Sequence, residues 1–266
     1  MDDSSTTRQH SERQNLAWTT ADSQRLYQVA GWGEPYFSIN AAGNMQVKPS
    51  KDASQAVDLF ALVQRLKSEG INTPCLLRFP DILGDRLQRL QDCFEQAIRR
   101  YGYGGSYRGV YPVKCNPHRQ IVQDILTRGK ADYFGLEAGS KSELMLAIAM
   151  LEPDPTSKRL LICNGYKDAD YIEMALLGRQ LGHRAIIVVE QLEELNLTLA
   201  VSEKLGVRPL IGVRAKLASQ GIGRWGKSSG DRAKFGLTVP QILQVVNRLE
   251  EAGMLDCLQL LHYHIG

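Results

Sequence analysis

Several apolar runs in this sequence are closed by polar residues whose types suggest a shared chemistry. These residues are Lys114, Glu137, Asn164, Glu190, Arg214 and His264. Where parallel strands form a barrel, the side chains at the carboxyl ends of the strands surround one mouth. A lysine, an arginine, a histidine and two carboxylates at such a mouth could together bind an anionic cofactor that carries a carbonyl group.

Lys114 is the candidate nucleophile because it ends an otherwise apolar run, GVYPVK. If the run is a strand that faces a barrel interior, desolvation disfavours the ammonium form of the lysine. A neutral lysine amine can form a Schiff base with an aldehyde. The alternative is a structural lysine that extends to solvent or pairs with a carboxylate.

His262 and His264 alternate with Tyr263, so the two histidines would share one face of a strand. Such a pair could bind a metal, as in metal-dependent hydrolases, if other strands supplied further ligands. Two alternatives remain open: His262 is a hydrogen-bonded core residue, and His264 packs on a cofactor ring.

A glycine-rich stretch, Gly221–Gly226, matches the pattern GxGxxG. A dinucleotide-binding fingerprint must open a helix directly after a strand, and KSSGDR follows here instead. The basic segment 218–235 is therefore interpreted as a long loop near a strand end, either a flexible lid or a solvated connection.

The surrounding sequence alternates apolar runs with helical patterns. Predicted strands are 75–79, 109–114, 133–137, 160–163, 185–190, 210–214 and 258–265, and predicted helices are 53–69, 82–100, 141–151, 168–180, 192–205 and 240–252. Successive strands are separated by about 25 residues, a period expected of a (β/α)8 barrel. The runs are continuously apolar, as in parallel strands covered on both faces. A doubly wound sheet is the alternative.

Three segments are predicted along the chain: a mobile polar tail over 1–30, a β-hairpin over 31–52 and an incomplete barrel over 53–266. The hairpin follows from alternating residues on both sides of AAGN. The chain stops after the seventh predicted strand with no helix to cover it, so we expect the sequence to be a fragment of a longer chain.

Composition excludes several classes of protein. The net charge is +3, which does not favour nucleic acid or an anionic membrane as a partner. No apolar run reaches the length of about 18 residues that a membrane-spanning helix requires. The five cysteines have no disulfide or metal spacing, and the N-terminus has no signal-peptide pattern, so we expect a cytoplasmic location.

A set of motifs together carries a family resemblance. They are YPVKCN, FGLEAGSKSEL, LLICNGYKD, GVRAKL with AKFGL, and LLHYHIG, together with WGEPYFSINAAGNMQVKP and LLRFPDIL near the N-terminus. The set resembles the fold-III pyridoxal phosphate decarboxylases, and among these the biosynthetic arginine decarboxylases. This resemblance implies an alanine-racemase-like barrel, and it implies that the hairpin belongs to a second β-domain.

The resemblance also implies roles for individual residues. Lys114 would hold pyridoxal phosphate as a Schiff base, and His264 would stack on the pyridine ring. Arg214 would lie beside the phenolic oxygen of the cofactor, and Glu137 near the imine lysine. Glu143 would lie close to the cofactor, although its spacing from a preceding serine also fits a helix cap. Matching motifs without an assigned role contain Asn116, Asn164 and Glu190.

The implied reaction is decarboxylation of L-arginine to agmatine and CO2, which feeds putrescine and spermidine biosynthesis. The resemblance further implies a magnesium requirement, with ligands that the sequence does not identify, and a homo-oligomer for the full-length protein. We expect the fragment alone to be inactive. The alternatives are a decarboxylase for diaminopimelate or ornithine, a non-catalytic regulatory relative, and a metal-dependent hydrolase that uses His262 and His264.

Overall fold

The structure is a computed structural model that describes residues 17–49, 55–129, 133–154, 156, 158–217 and 235–264. Most of the tail predicted over 1–30, the GxGxxG stretch at 221–226 and most of the loop 218–235 lie outside the described residues. The chain divides into two compact units, residues 1–82 and 83–266. The predicted boundary after residue 52 falls inside the first unit.

The first unit is a small antiparallel sheet with short helices. Its elements are α1 (Thr20–Leu26), α2 (Val29–Gly33), β1 (Phe37–Ile39), β2 (Met45–Val47), β3 (Val57–Asp58) and α3 (Leu59–Ser68). The predicted hairpin is confirmed, with Phe37 opposite Val47. Its turn is closed by Asn40, whose side-chain oxygen accepts hydrogen bonds from the backbone N–H groups of Ala42 and Asn44.

The second unit alternates strands and helices, and α4 (Pro80–Tyr101) crosses the boundary between the units. Its strands are β4 (Gly109–Pro112), β5 (Phe134–Ala138), β6 (Leu161–Cys163), β7 (Ala185–Val189), β8 (Leu210–Arg214) and β9 (Leu258–His262). Its further helices are α5 (Arg119–Arg128), α6 (Lys141–Met150), α7 (Ala169–Gln180), α8 (Leu192–Leu205) and α9 (Val239–Glu251).

The strand order distinguishes the two predicted architectures. The six strands of the second unit lie in the sheet in the order in which they occur in the chain, β4 to β9, and every neighbouring pair is parallel. A doubly wound sheet reverses its order at a switch point, whereas a (β/α)8 barrel adds each strand beside the last. The described residues therefore have the barrel-type order that the sequence predicts.

Burial explains why these runs form strands. All five residues of β5 and all five residues of β7 are buried, as expected where helices and barrel interior cover both faces. A Cβ atom at Gly135 would clash with the Leu160 carbonyl oxygen, so β5 needs glycine there. The main core joins the strands to α6 and α7, and Tyr171 and Leu176 are among its buried side chains.

The structure differs from the sequence expectations at several elements. Residues 75–79 form no strand: Pro74 and Pro80 bracket the run, and Leu76 is 75% exposed. The helix predicted from residue 53 begins at Leu59, because 57–58 pair with β2 instead. Helix α5 was not predicted as an element. The predicted strand 109–114 ends at Pro112.

Candidate active site

The carboxyl ends of the six parallel strands bring most of the predicted site residues to one edge of the sheet. Glu137 is the second-to-last residue of β5, and Arg214 is the last residue of β8. Asn164 directly follows β6, and Glu190 directly follows β7. Four consecutive strands thus each contribute one polar side chain.

Glu190 and Arg214 form a largely buried ion pair at this edge. The Arg214 guanidinium lies 3.1 Å from Glu190 Oε2, and the Glu190 side chain is 3% exposed. The other carboxylate oxygen, Oε1, accepts a hydrogen bond from the Gly165 backbone N–H at 3.2 Å. Glu190 therefore joins the loop after β6 to the end of β8, and it fixes the direction of the Arg214 side chain.

A second contact joins β5 to the loop after β6. The Asn164 amide donates a hydrogen bond to Glu137 Oε1 at 3.2 Å. Two buried oxygens at this contact, Glu137 Oε2 and Asn164 Oδ1, have no hydrogen-bond partner among the described residues, and neither has His262 Nδ1. Buried polar atoms normally have partners, so three at one edge are consistent with a polar ligand that binds there.

His262 is the last residue of β9, and it lies close enough to Arg214 and Glu190 to feel their charges. Burial lowers the pKa of His262 below its ordinary value of 6.5, and the positive charge of Arg214 lowers it further, whereas Glu190 acts in the opposite direction. The lowered pKa favours the neutral form of the His262 imidazole, which both donates and accepts hydrogen bonds.

Glu143 lies next to the same edge at the start of α6. Ser140 caps this helix by accepting a hydrogen bond from the Glu143 backbone N–H at 3.3 Å. The Glu143 carboxylate reaches back to the Gly139 backbone N–H at 2.7 Å. The cap that the sequence predicts is present on the serine side, and it positions the Glu143 carboxylate over the loop after β5.

Lys114 and His264 are the two predicted catalytic residues. Among the described residues, neither side chain forms a hydrogen bond or an ion pair with Glu190 or Arg214. Lys114 lies in a 3-10 turn, Val113–Cys115, that directly follows β4, so it is at the same edge of the sheet. The side chain is exposed, and the expectation that it is desolvated inside a strand is wrong because the strand ends at Pro112. His264 is exposed two residues beyond β9.

Sequence reasoning missed a buried ion pair behind this edge. Lys167 and Glu194 are 0% and 3% exposed, and Lys167 Nζ lies 3.1 Å from Glu194 Oε2. Their positions just before α7 and in the first turn of α8 look like ordinary helix-start residues. The available signal was that both residues follow an apolar strand within five residues, Lys167 after LLIC and Glu194 after AIIVVE.

Metal binding receives no support from the described part of the chain. It contains no group of three or more histidine, cysteine, aspartate or glutamate side chains placed to hold a metal ion. The di-histidine alternative therefore lacks further ligands among these residues. The magnesium requirement stays an expectation of the family resemblance.

Pyridoxal phosphate fits the residues that are present. Lys114 supplies a primary amine that solvent can reach, and Arg214 supplies a fixed positive charge. The unpartnered atoms of Glu137, Asn164 and His262 supply buried polar positions for a ligand. The edge thus combines an amine able to react with an aldehyde and a guanidinium able to hydrogen-bond to an anionic group.

Comparison with known proteins identifies the class. Residues 87–266 match the family model described as pyridoxal-dependent decarboxylase, pyridoxal binding domain. The matched segment covers the six parallel strands and every predicted site residue. The chain belongs to the pyridoxal-dependent decarboxylase family.

Individual relatives narrow the comparison. The chain is 57% identical over 259 residues to biosynthetic arginine decarboxylase 1 of Synechocystis sp. (strain ATCC 27184 / PCC 6803 / Kazusa), and this match covers 95% of the chain and 37% of the relative. It is 58% identical over 249 residues to biosynthetic arginine decarboxylase of Thermosynechococcus vestitus, with coverage of 94% and 39%. The chain therefore spans less than two fifths of the length of these curated relatives.

Solved structures agree with the fold. The crystal structure of the biosynthetic arginine decarboxylase SpeA from Campylobacter jejuni matches with a TM-score of 0.76 and 30% identity, over 90% of this chain and 38% of that chain. Diaminopimelate decarboxylase from M. jannaschii matches with a TM-score of 0.60 and 18% identity, over 88% and 48%. The second match supports the fold alone.

Proposed function

We propose that the complete gene product decarboxylates L-arginine to agmatine and CO2 with pyridoxal phosphate. We further propose that the residues at the described sheet edge bind this cofactor. The observation that carries this proposal is the Glu137–Asn164–Glu190–Arg214 cluster at the same sheet edge as Lys114. The choice of arginine is supported by the 57% and 58% identical relatives, which are named biosynthetic arginine decarboxylases.

Lys114 is the proposed point of covalent attachment. Its position directly after β4 places a flexible primary amine at the strand end, where it can reach a bound aldehyde and later return to it. When bound, pyridoxal phosphate takes up the electron pair that remains after the substrate carboxylate leaves as CO2.

The other residues bind and orient. Arg214, held by Glu190, places positive charge at a fixed point of the edge and hydrogen-bonds to anionic oxygens there. His262, whose lowered pKa favours the neutral form, presents an unpartnered Nδ1. Glu137 and Glu143 place carboxylates beside the loop after β5. His264 is proposed to cover one face of the ring site.

Three further parts of the proposal concern the whole protein. We propose that it acts in the cytoplasm as a homo-oligomer, and that its product enters putrescine and spermidine synthesis. The five cysteines are all free thiols, as is usual in a reducing compartment. None of the described helices combines the length and the apolar character needed to cross a membrane.

Borohydride reduction followed by peptide mapping tests the proposal. The complete gene product, incubated with pyridoxal phosphate and reduced, should carry the reduced cofactor on the peptide that contains Lys114. Lys114→Ala should abolish the adduct and lower kcat about 10³-fold, because the covalent attachment of the cofactor is lost. Lys204→Ala, on the exposed side of α8, is the matched control.

Substrate assays complete the test. Agmatine should form from arginine, with little product from ornithine, lysine or diaminopimelate. An adduct on another lysine overturns the role of Lys114. Faster turnover of another amino acid replaces arginine as the substrate, and absence of any adduct supports a regulatory relative. The same assay on the isolated 266-residue chain should give no agmatine.

A further inference from the structure

The buried pair Lys167–Glu194 has no role in the chemistry above, although a fully buried lysine is costly to maintain. Removing an ammonium and a carboxylate from water is unfavourable, and the attraction between them often does not compensate for it. A buried pair can instead specify one arrangement of the groups around it, and the contacts of this pair indicate which arrangement.

Glu194 binds two loops at once. Its Oε2 accepts a hydrogen bond from the Glu190 backbone N–H at 2.8 Å, and its Oε1 accepts one from the Lys167 backbone N–H at 3.2 Å. The Lys167 ammonium lies 3.1 and 3.2 Å from the two carboxylate oxygens, and it donates a further hydrogen bond to the Gly165 carbonyl oxygen. We call this set of contacts the loop clamp.

The loop clamp lies directly behind the residues of the candidate active site. It holds the backbone of Glu190, whose carboxylate binds Arg214, and the backbone of Gly165, whose N–H donates to the same carboxylate. Glu190 and Gly165 are thus each fixed twice, once through backbone by the clamp and once through the contact between them. A shift of either loop would move the Glu190 carboxylate and release Arg214.

We infer that Lys167 and Glu194 are positioning residues that act on the candidate active site through Glu190 and Arg214. This inference rests on the proposed function for its activity readout, but the geometry it describes can be measured without that activity. No hydrogen bond among the described residues joins either side chain to Arg214 or His262, so the pair positions the edge through the backbone of Gly165 and Glu190. The positive charge of Lys167 also helps to lower the pKa of His262.

Epistasis between variants of the complete gene product tests this inference. Lys167→Met leaves an uncompensated carboxylate in the interior and can unfold the protein, so the main variant is K167M/E194Q, which buries no charge. Both this variant and Glu190→Gln should lower kcat/KM about tenfold through loss of one fixed charge-assisted contact. The variant that combines these changes should have a kcat/KM at most about twofold lower than either variant alone, because the effects of changes along one chain of contacts are not additive.

The matched control is Lys204→Met. Lys204 of α8 also forms an ion pair with the preceding strand–helix unit, through Glu173 of α7, but this pair lies at the exposed surface. This variant should leave kcat/KM unchanged. Multiplicative losses in the combined variant, or an unchanged kcat/KM in K167M/E194Q, would show that the pair has only a structural role.

Hydrogen exchange gives a readout that does not depend on catalysis. Peptides that cover 164–168 and 189–195 should exchange faster in K167M/E194Q than in the parent protein, while a peptide within β7 should not change. If the parent protein decarboxylates nothing, faster exchange in both loops still supports the clamp, and only the proposed function fails. Unchanged exchange in both loops overturns the inference.

Discussion

At the scale of single residues, Gly165 decides how closely two loops of the candidate active site approach each other. Its φ of 75° lies in the left-handed region, and a Cβ atom there would be 2.5 Å from the Gly139 carbonyl oxygen. No side chain can be added without moving one loop. The Gly165 N–H would then lose its position against Glu190.

Gly165→Ala should lower the free energy of unfolding by about 2 kcal/mol or more, since backbone strain and a backbone clash add together. Gly206→Ala is the matched control: its φ is 65°, and no atom lies near its Cβ position. Gly206→Ala should lower the free energy of unfolding by only about 1 kcal/mol. Urea unfolding of both variants measures the difference, and equal losses would show that the loop approach is unimportant.

Sequence reasoning was most successful for residues that end strands. Glu137, Arg214, Asn164 and Glu190 were expected at one edge of the sheet, and the structure places them there because apolar runs set the strands and parallel pairing aligns their ends. It failed for the environment of Lys114, because Pro112 ends the strand two residues early and a 3-10 turn exposes the side chain. Pattern alone does not determine where a strand stops.

At the scale of elements, helix α6 combines a side-chain cap with a largely apolar sequence. Lys141–Met150 is largely apolar, and Leu144 and Ala147 are completely buried. Its first turn also carries Glu143, so the cap sets both the start of the helix and the position of that carboxylate.

Ser140→Ala removes the side-chain acceptor for the Glu143 backbone N–H and should lower the free energy of unfolding by about 1 kcal/mol. Gln191→Ala is the control, because Gln191 precedes α8 without a side-chain capping hydrogen bond. Thermal unfolding of the two variants checks the prediction. A loss in the control as large as that for Ser140 would contradict it.

Two features that sequence analysis missed, strand β3 and the buried Lys167–Glu194 pair, share a physical cause. Strand β3 has only two residues, and its pairing with β2 depends on a partner distant in the chain. The buried Lys167–Glu194 pair was missed because both residue types are usually exposed, and only tertiary packing removes them from water. Local pattern carries no information on either contact.

At the scale of the whole molecule, the buried His183 and the partly buried His262 make stability depend on pH. Burial lowers the pKa of His262 and of His183 in the folded protein below the ordinary value of 6.5. Between the lowered pKa of each histidine in the folded protein and its ordinary pKa, the unfolded chain binds protons more readily than the folded one. Stability should therefore fall as pH decreases below about 6.5.

His262→Gln should reduce this dependence, and a variant that also carries His183→Gln should reduce it further. Urea unfolding at several pH values between 8 and 5 provides the comparison. The parent protein and the single variant should differ least at pH 8, where both histidines are neutral in either state. A slope that is the same in all three proteins would exclude the two histidines as its source.

The overall architecture could be predicted because the barrel repeats one local unit. Continuous apolar strands, a steady period and the family motifs each indicated the same order, and the described strands follow it. The division of the chain at residue 82 could not be predicted, because α3 follows β3 in the first unit although its sequence resembles a barrel helix.

The clamp between Lys167 and Glu194 has a consequence for how relatives of this chain can diverge. Successive strand–helix units of a barrel can usually change their loops independently, but here the loop after β6 supplies the ammonium and the first turn of α8, in the next unit, supplies its buried ion-pair partner. Loss of either partner alone leaves a charge in the interior. The two positions should therefore change together during evolution, and transplanting either loop into another barrel should require its neighbour as well.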